Sequence, residues 1–219
     1  MSSGDAYIPG LFFDASKDPS LALLLGKEGA GRADIVIQNE LGFQAIAFGN
    51  HEFDFGTAQI KSLLAPDGAY PGDKVPLFKF PTSTLPITAD LKDLVAADGQ
   101  EASSIPGKIA KSTVVTVNGE KIGVVGATTP TLPRISSPGT VGVLPADSTD
   151  IPALAAEIQK SVDALLAANP DINKVVLLAH MQQIAIEQEL AGLLKKCRYH
   201  HGWWFQHSLV GRNRPFTCG

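Results

Sequence analysis

Between Asp150 and Asn169 apolar residues recur at helical spacing: Ile151, Leu154, Ala155, Ile158, Val162, Leu165 and Leu166. Pro170 ends that helix, and Lys174–Ala179 follows as a continuous apolar strand that stops at His180. A second amphipathic helix then runs to about Leu194. Upstream, Ser112–Val117 and Lys121–Val125 alternate and are rich in Val and Ile; Asn118-Gly119 between them is a strong hairpin signal. Ala33–Leu41 has helical character, with Gly42 placed as a C-cap glycine, and Phe43–Phe48 reads as a short buried strand opening into a loop at Gly49. Thr57 is positioned to cap a helix whose apolar face carries Ile60, Leu63 and Leu64. Proline and glycine cluster at 65–88 and 129–145, which read as loops. Alternating strands and helices of these lengths predict an α/β fold with mixed sheets.

The chain has 219 residues, 44% hydrophobic and 18% charged, which is ample for a packed core and excludes wholesale disorder. A net charge of −4 argues against binding a nucleic-acid polymer or an anionic membrane as the main activity. No apolar run approaches the roughly 18–20 residues of a membrane span. Met1-Ser2-Ser3-Gly4-Asp5 has neither a basic start nor an apolar stretch, so no signal peptide is expected in this chain and its localisation stays open. Composition breaks near Lys196. Both cysteines, both tryptophans and three of the 5 histidines lie in 197–219, which has no Asp or Glu. The chain therefore divides into a folded unit, 1–196, and a tail, 197–219.

Chemistry-bearing residues gather where strands end, the usual place for sites in α/β folds. Gly49-Asn50-His51-Glu52-Phe53-Asp54 follows one strand, His180 closes another, and Asp5 sits in Gly4-Asp5-Ala6-Tyr7. Carboxylate and amide oxygens with imidazole nitrogens form a ligand set suited to Zn²⁺, Mn²⁺ or Fe. Taken singly, Asp5 could be a turn aspartate and Asn50 a left-handed turn residue. Likewise His180 could be a satisfied strand-end histidine, and His51 with Asp54 a structural pair.

Together and in this order these segments resemble the calcineurin-like metallophosphoesterases. Ser3–Gly10 and Gly49–Gly56 look like the 5′-nucleotidase and 2′,3′-cyclic-nucleotide phosphodiesterase branch, and Val175–Gln183 matches that family's lone-histidine element. The resemblance implies a metallophosphoesterase-type α/β/β/α sandwich with mixed sheets, incomplete at both ends, and two divalent metal ions (Zn, Mn or Fe). It implies that Asp5 bridges the metals and that Asn50 and His180 ligate the second. Asn50 and His51 would contact the substrate phosphate, and His51, oriented by Asp54, would be catalytic. Glu52 belongs to the motif without direct chemistry. The implied function is hydrolysis of a nucleotide or other phosphomonoester by metal-activated water. The family's Asp-x-His and Gly-His-x-His motifs are not found, so the chain reads as an internal fragment; the alternative is a catalytically inactive piece of such an enzyme. Intact relatives are often periplasmic or extracellular.

After Lys196 the family's architecture calls for another apolar strand, which Cys197-Arg198-Tyr199-His200-His201-Gly202-Trp203-Trp204 does not resemble. Back-translation shifted by one nucleotide permits Asn-Val-Asp-Ile-Ile-Met-Ala-Gly-Gly-Ser-Asn-Thr, with Gly-Gly forced by the tryptophan and phenylalanine codons. The tail is therefore read as out-of-frame or disordered, with Trp203-Trp204-Phe205 as an exposed apolar patch. A transcript continuing in the given frame, with no intact gene copy, would overturn the error reading. Cys197, His200, His201, His207 and Cys218 match no standard zinc spacing.

Overall fold

A computed structural model describes residues 1–26, 28–64, 80–81, 84–85, 90–196 and 198–200. Its helices are α1 (Leu11–Ala15), α2 (Ala22–Leu25), α3 (Arg32–Glu40), α4 (Gly56–Leu64), α5 (Leu132–Ile135), α6 (Ile151–Ala168) and α7 (Ile184–Leu193). Strands are β1 (Phe80–Pro81), β2 (Gln100–Glu101), β3 (Ile109–Ala110), β4 (Ser112–Val117), β5 (Glu120–Thr128), β6 (Val175–His180) and β7 (Arg198–His200). The main sheet has the order β2-β4-β5-β6-β7, and β1 pairs with β3. Only β4 and β5 are antiparallel, so the sheet is mixed.

The hairpin forms as its turn dictates: Asn118 and Gly119 have φ of 51° and 81°, the left-handed pair that a tight two-residue connection needs. Helix α6 also follows its pattern. Asp150 caps it by accepting from the Ala153 N–H at 2.8 Å, and Leu154, Ile158 and Val162 are fully buried. Burying each such side chain stabilises by about 1.5–3 kcal/mol relative to exposure.

Period-two alternation in the sheet separates two cores. Val114, Val125, Ala127, Val175, Leu177 and Ala179 pack with α6 and with Leu190 of α7. On the opposite face Val115, Val124 and Leu178 meet Ala45 and Ala47. The alanines belong to an extended segment whose alternate residues, Ile46 and Phe48, point away into a third cluster with Ile35 of α3 and Ile60 and Leu63 of α4. Small residues toward the sheet and large ones toward the helices set the layer order: helices, sheet, extended layer, helices.

Several expectations are corrected. Phe43–Phe48 forms no strand of the main sheet; it bridges in parallel to the amino terminus, Ser2 donating to the Ala45 carbonyl at 3.1 Å and Ala47 to the Ser2 carbonyl at 3.0 Å. Strand β5 continues through Gly126-Ala127-Thr128 because small residues let the layers close over it. Helix α4 begins at Gly56, and the Thr57 hydroxyl donates to Asp90 at 3.3 Å. The loop 129–145 contains α5. Where no strand was expected after Lys196, Arg198–His200 pairs in parallel with Val176–Leu178. A backbone ladder needs only N–H and C=O groups, which this run supplies whatever its side chains. The rest of the tail, and most of 65–88, lies outside the described residues. Among those described, no helix is long and apolar enough to cross a membrane.

Candidate metal and phosphate site

The carboxyl ends of β5 and β6 and the end of the Ala45–Phe48 segment converge. Thr128, directly opposite His180 in register, donates its hydroxyl to the Phe48 carbonyl at 2.7 Å, and Thr84 bonds the Thr128 backbone in both directions at 2.9 Å. These bonds hold the loop after Phe48 beside the end of β6. His180 shares the parity of Val176 and Leu178, so it faces the extended layer rather than α6.

Two glycines let that loop and the amino-terminal loop touch. A Cβ on Gly4, whose φ is 110°, would lie 2.6 Å from the Gly49 nitrogen and 2.8 Å from His180 Nδ1. One on Gly49 would lie 2.2 Å from Asp5 Oδ1. Glu52, fully buried, ties the loops together through its two oxygens. Oε2 accepts from the Asp5 N–H at 3.1 Å and the Gly49 N–H at 2.5 Å, while Oε1 accepts from the Ala6 N–H. Burial, with a smaller push from the Asp5 carboxylate, raises this carboxyl to about 8 against the pull of those N–H donors. Asp5 itself is held at φ 53°, and Asn50 at φ −83°, so the left-handed turn residue is Asp5 and not Asn50.

Side chains then meet in two groups. In the first, His51 Nδ1 lies 2.5 Å from Asp54 Oδ2, and the Ser136 hydroxyl donates to Asp54 Oδ1 at 2.9 Å. The His51 side chain is 36% exposed, which leaves the ring accessible to a ligand from solvent. Its backbone N–H donates to Asp5 Oδ1 at 3.2 Å. In the second, buried His180 places Nδ1 3.0 Å from the Ser3 carbonyl, an acceptor, so Nδ1 carries a proton and, in the neutral ring, Nε2 a lone pair. That lone pair faces Asn50 Oδ1 at 3.2 Å and Asp5 Oδ2 at 3.4 Å.

Three lone-pair donors turned toward one another are a set that a cation satisfies. Two donors on tetrahedral zinc with bonds of about 2.0–2.1 Å sit roughly 3.3 Å apart, so the observed spacings fit. Asp5, Asn50 and His180 could hold one divalent ion. Among the described residues no group of three or more His, Cys, Asp and Glu is placed to do so; this set contains two, completed by an amide. The cysteine and histidine run of the tail lies outside the residues whose side chains are described.

All five residues singled out from sequence are therefore brought into one neighbourhood. Glu52, Ser136, Gln182 and the Ser3 carbonyl were not assigned roles. Glu52 and Ser3 act on or through backbone, which side-chain type does not signal. Ser136 is 82 residues from Asp54, beyond any local pattern.

No family model matches the chain. It is 32% identical over 180 residues to the 5′-nucleotidase of Mus musculus, covering 82% of this chain and 24% of the relative. With the snake venom 5′-nucleotidase of Naja atra it is 28% identical over 196 residues, covering 88% and 30%. In structure it resembles a 5′-nucleotidase precursor from Thermus thermophilus, with TM-score 0.60, 28% identity, and coverage of 91% of this chain and 31% of that one. The NAD nucleotidase of Haemophilus influenzae shares the fold at TM-score 0.60 and 24% identity, covering 96% and 30%. The chain thus spans between 24% and 31% of the length of these relatives. On layer architecture and relatives alike, it belongs to the 5′-nucleotidase family.

Proposed function

We propose that this chain carries the phosphate-binding half of a metal-dependent phosphomonoester hydrolase acting on nucleotides. The observation that carries the proposal is the convergence of Asp5 Oδ2, Asn50 Oδ1 and the His180 Nε2 lone pair beside an open His51–Asp54 pair. Asp5, Asn50 and His180 would hold the divalent ion, Asp5 supplying the carboxylate. Such ions, zinc, manganese or iron, supply Lewis acidity toward a phosphoryl oxygen and acidify an attacking water. His51 and Asn50 contact the substrate phosphate. Asp54, fixed by Ser136, keeps the proton on His51 Nδ1 and stabilises the imidazolium. A protonated ring then donates from Nε2 to a phosphate oxygen or to the departing alkoxide.

The test is metal content per chain, with turnover of p-nitrophenyl phosphate and AMP on the same sample. Activity that falls at least about 100-fold in His51→Ala supports the reading. Turnover unchanged in that variant, or metal binding unchanged in His180→Ala, overturns it.

A second reading has its own observation: the described donor set has one carboxylate and one imidazole. On that reading the chain binds a single ion and does not turn over substrate. One metal per chain, lost in His180→Ala, with no activity would favour it.

A further inference from the structure

Asn50 Oδ1 and His180 Nε2 are 3.2 Å apart, and with Nδ1 of His180 directed at the Ser3 carbonyl both atoms are acceptors when the ring is neutral. Acceptors at that distance repel unless a donor or a cation lies between them. Gln182 provides the donor. Its side-chain Nε2 donates to Asn50 Oδ1 and lies 3.0 Å from His180 Nε2. An amide NH₂ has two hydrogens, one for each acceptor. The backbone is telling as well: Gln182 sits at φ 65°, a left-handed conformation that glycine adopts freely and a long side chain does not. The two side-chain bonds formed from that conformation offset its cost.

We propose that Gln182 is a built-in occupant of the cation position. In the ion-free chain its amide caps the donor set, and a divalent ion enters only as the amide swings out, so residue 182 sets the affinity for the ion. This inference rests on the metal reading above. It assigns a role to a residue that supplies neither a charge nor an expected ligand.

Calorimetric titration of Mn²⁺ into the full chain, with Q182G, Q182A and H180A alongside, tests it. Q182G removes the competitor and suits the left-handed backbone, so it keeps the fold, as circular dichroism can check. It is expected to bind Mn²⁺ about tenfold more tightly, the equivalent of two modest hydrogen bonds released. Q182A should also bind more tightly while unfolding at lower temperature. Independently, Zn²⁺ should move the Gln182 side-chain amide resonances in a ¹⁵N-labelled sample to the positions of a free amide. Binding by Q182G equal to or weaker than the parent chain, with H180A abolishing it, overturns the inference and leaves the metal reading standing. Binding indifferent to H180A, or absent from every variant, overturns the metal reading and this inference with it.

Discussion

Glu52 bonds no side chain of the site, yet it accepts N–H groups from both loops that carry the site, those of Asp5, Ala6 and Gly49. Whether ionised or protonated, the oxygen facing Ala6 accepts, and the amide of a glutamine cannot accept from both of its ends. Glu52→Gln therefore sets an NH₂ against an N–H in a fully buried position. The expected loss of stability is about 1–3 kcal/mol, read by urea denaturation. A change under about 0.5 kcal/mol would show that the loops stand without the carboxylate. This is also where sequence reading reached its limit. Asp5, Asn50, His51, Asp54 and His180 announce themselves as ligand and acid–base types, whereas a carboxylate serving main-chain donors carries no such mark.

At the scale of elements the legible parts are those dictated locally. The Asn118-Gly119 turn forms the β4–β5 hairpin, and the apolar spacing after Asp150 forms α6. What depends on contact across layers was not legible. Gly123, in β5, weakens a strand by propensity, yet a Cβ there would lie 2.6 Å from Leu165 Cδ2 of α6 and 3.3 Å from Val175 Cγ2. Alanine gains about 0.5–1 kcal/mol in backbone terms, while overpacking costs about 1–3 kcal/mol, so crowding wins. Gly123→Ala should lower stability by about 1 kcal/mol in thermal or urea unfolding. Combined with Leu165→Ala, which vacates the space, it should cost less than the sum of the two single changes. Strict additivity would mean that helix and strand do not compete for that volume. The same dependence on distant contacts hid the full length of β5 and the true partner of Ala45–Phe48.

For the molecule as a whole, the donor set joins residue 5 to residue 180 across both β layers. Anything that binds it stabilises the entire fold by linkage. Mn²⁺ at a hundredfold excess over its dissociation constant should add about 2.7 kcal/mol, or about 5–10 °C in unfolding temperature. A chelator should remove that gain, and His180→Ala should show none. The layer order was readable from sequence through the family's motifs, while the tail's pairing was not, since a backbone ladder such as that of Arg198–His200 leaves no mark in the side-chain pattern. The span of 177 residues between the Ser3 carbonyl and His180 has a further meaning for synthesis. Translation is vectorial, at about 5–20 residues per second. A nascent chain holds every residue of the Glu52 clamp and of the His51–Asp54 pair once position 54 is made. It then elongates for some seconds more before β6 delivers the imidazole. Through that interval the early residues lack the ring that closes the site, which can be completed only after position 180, the last of its five groups to be made.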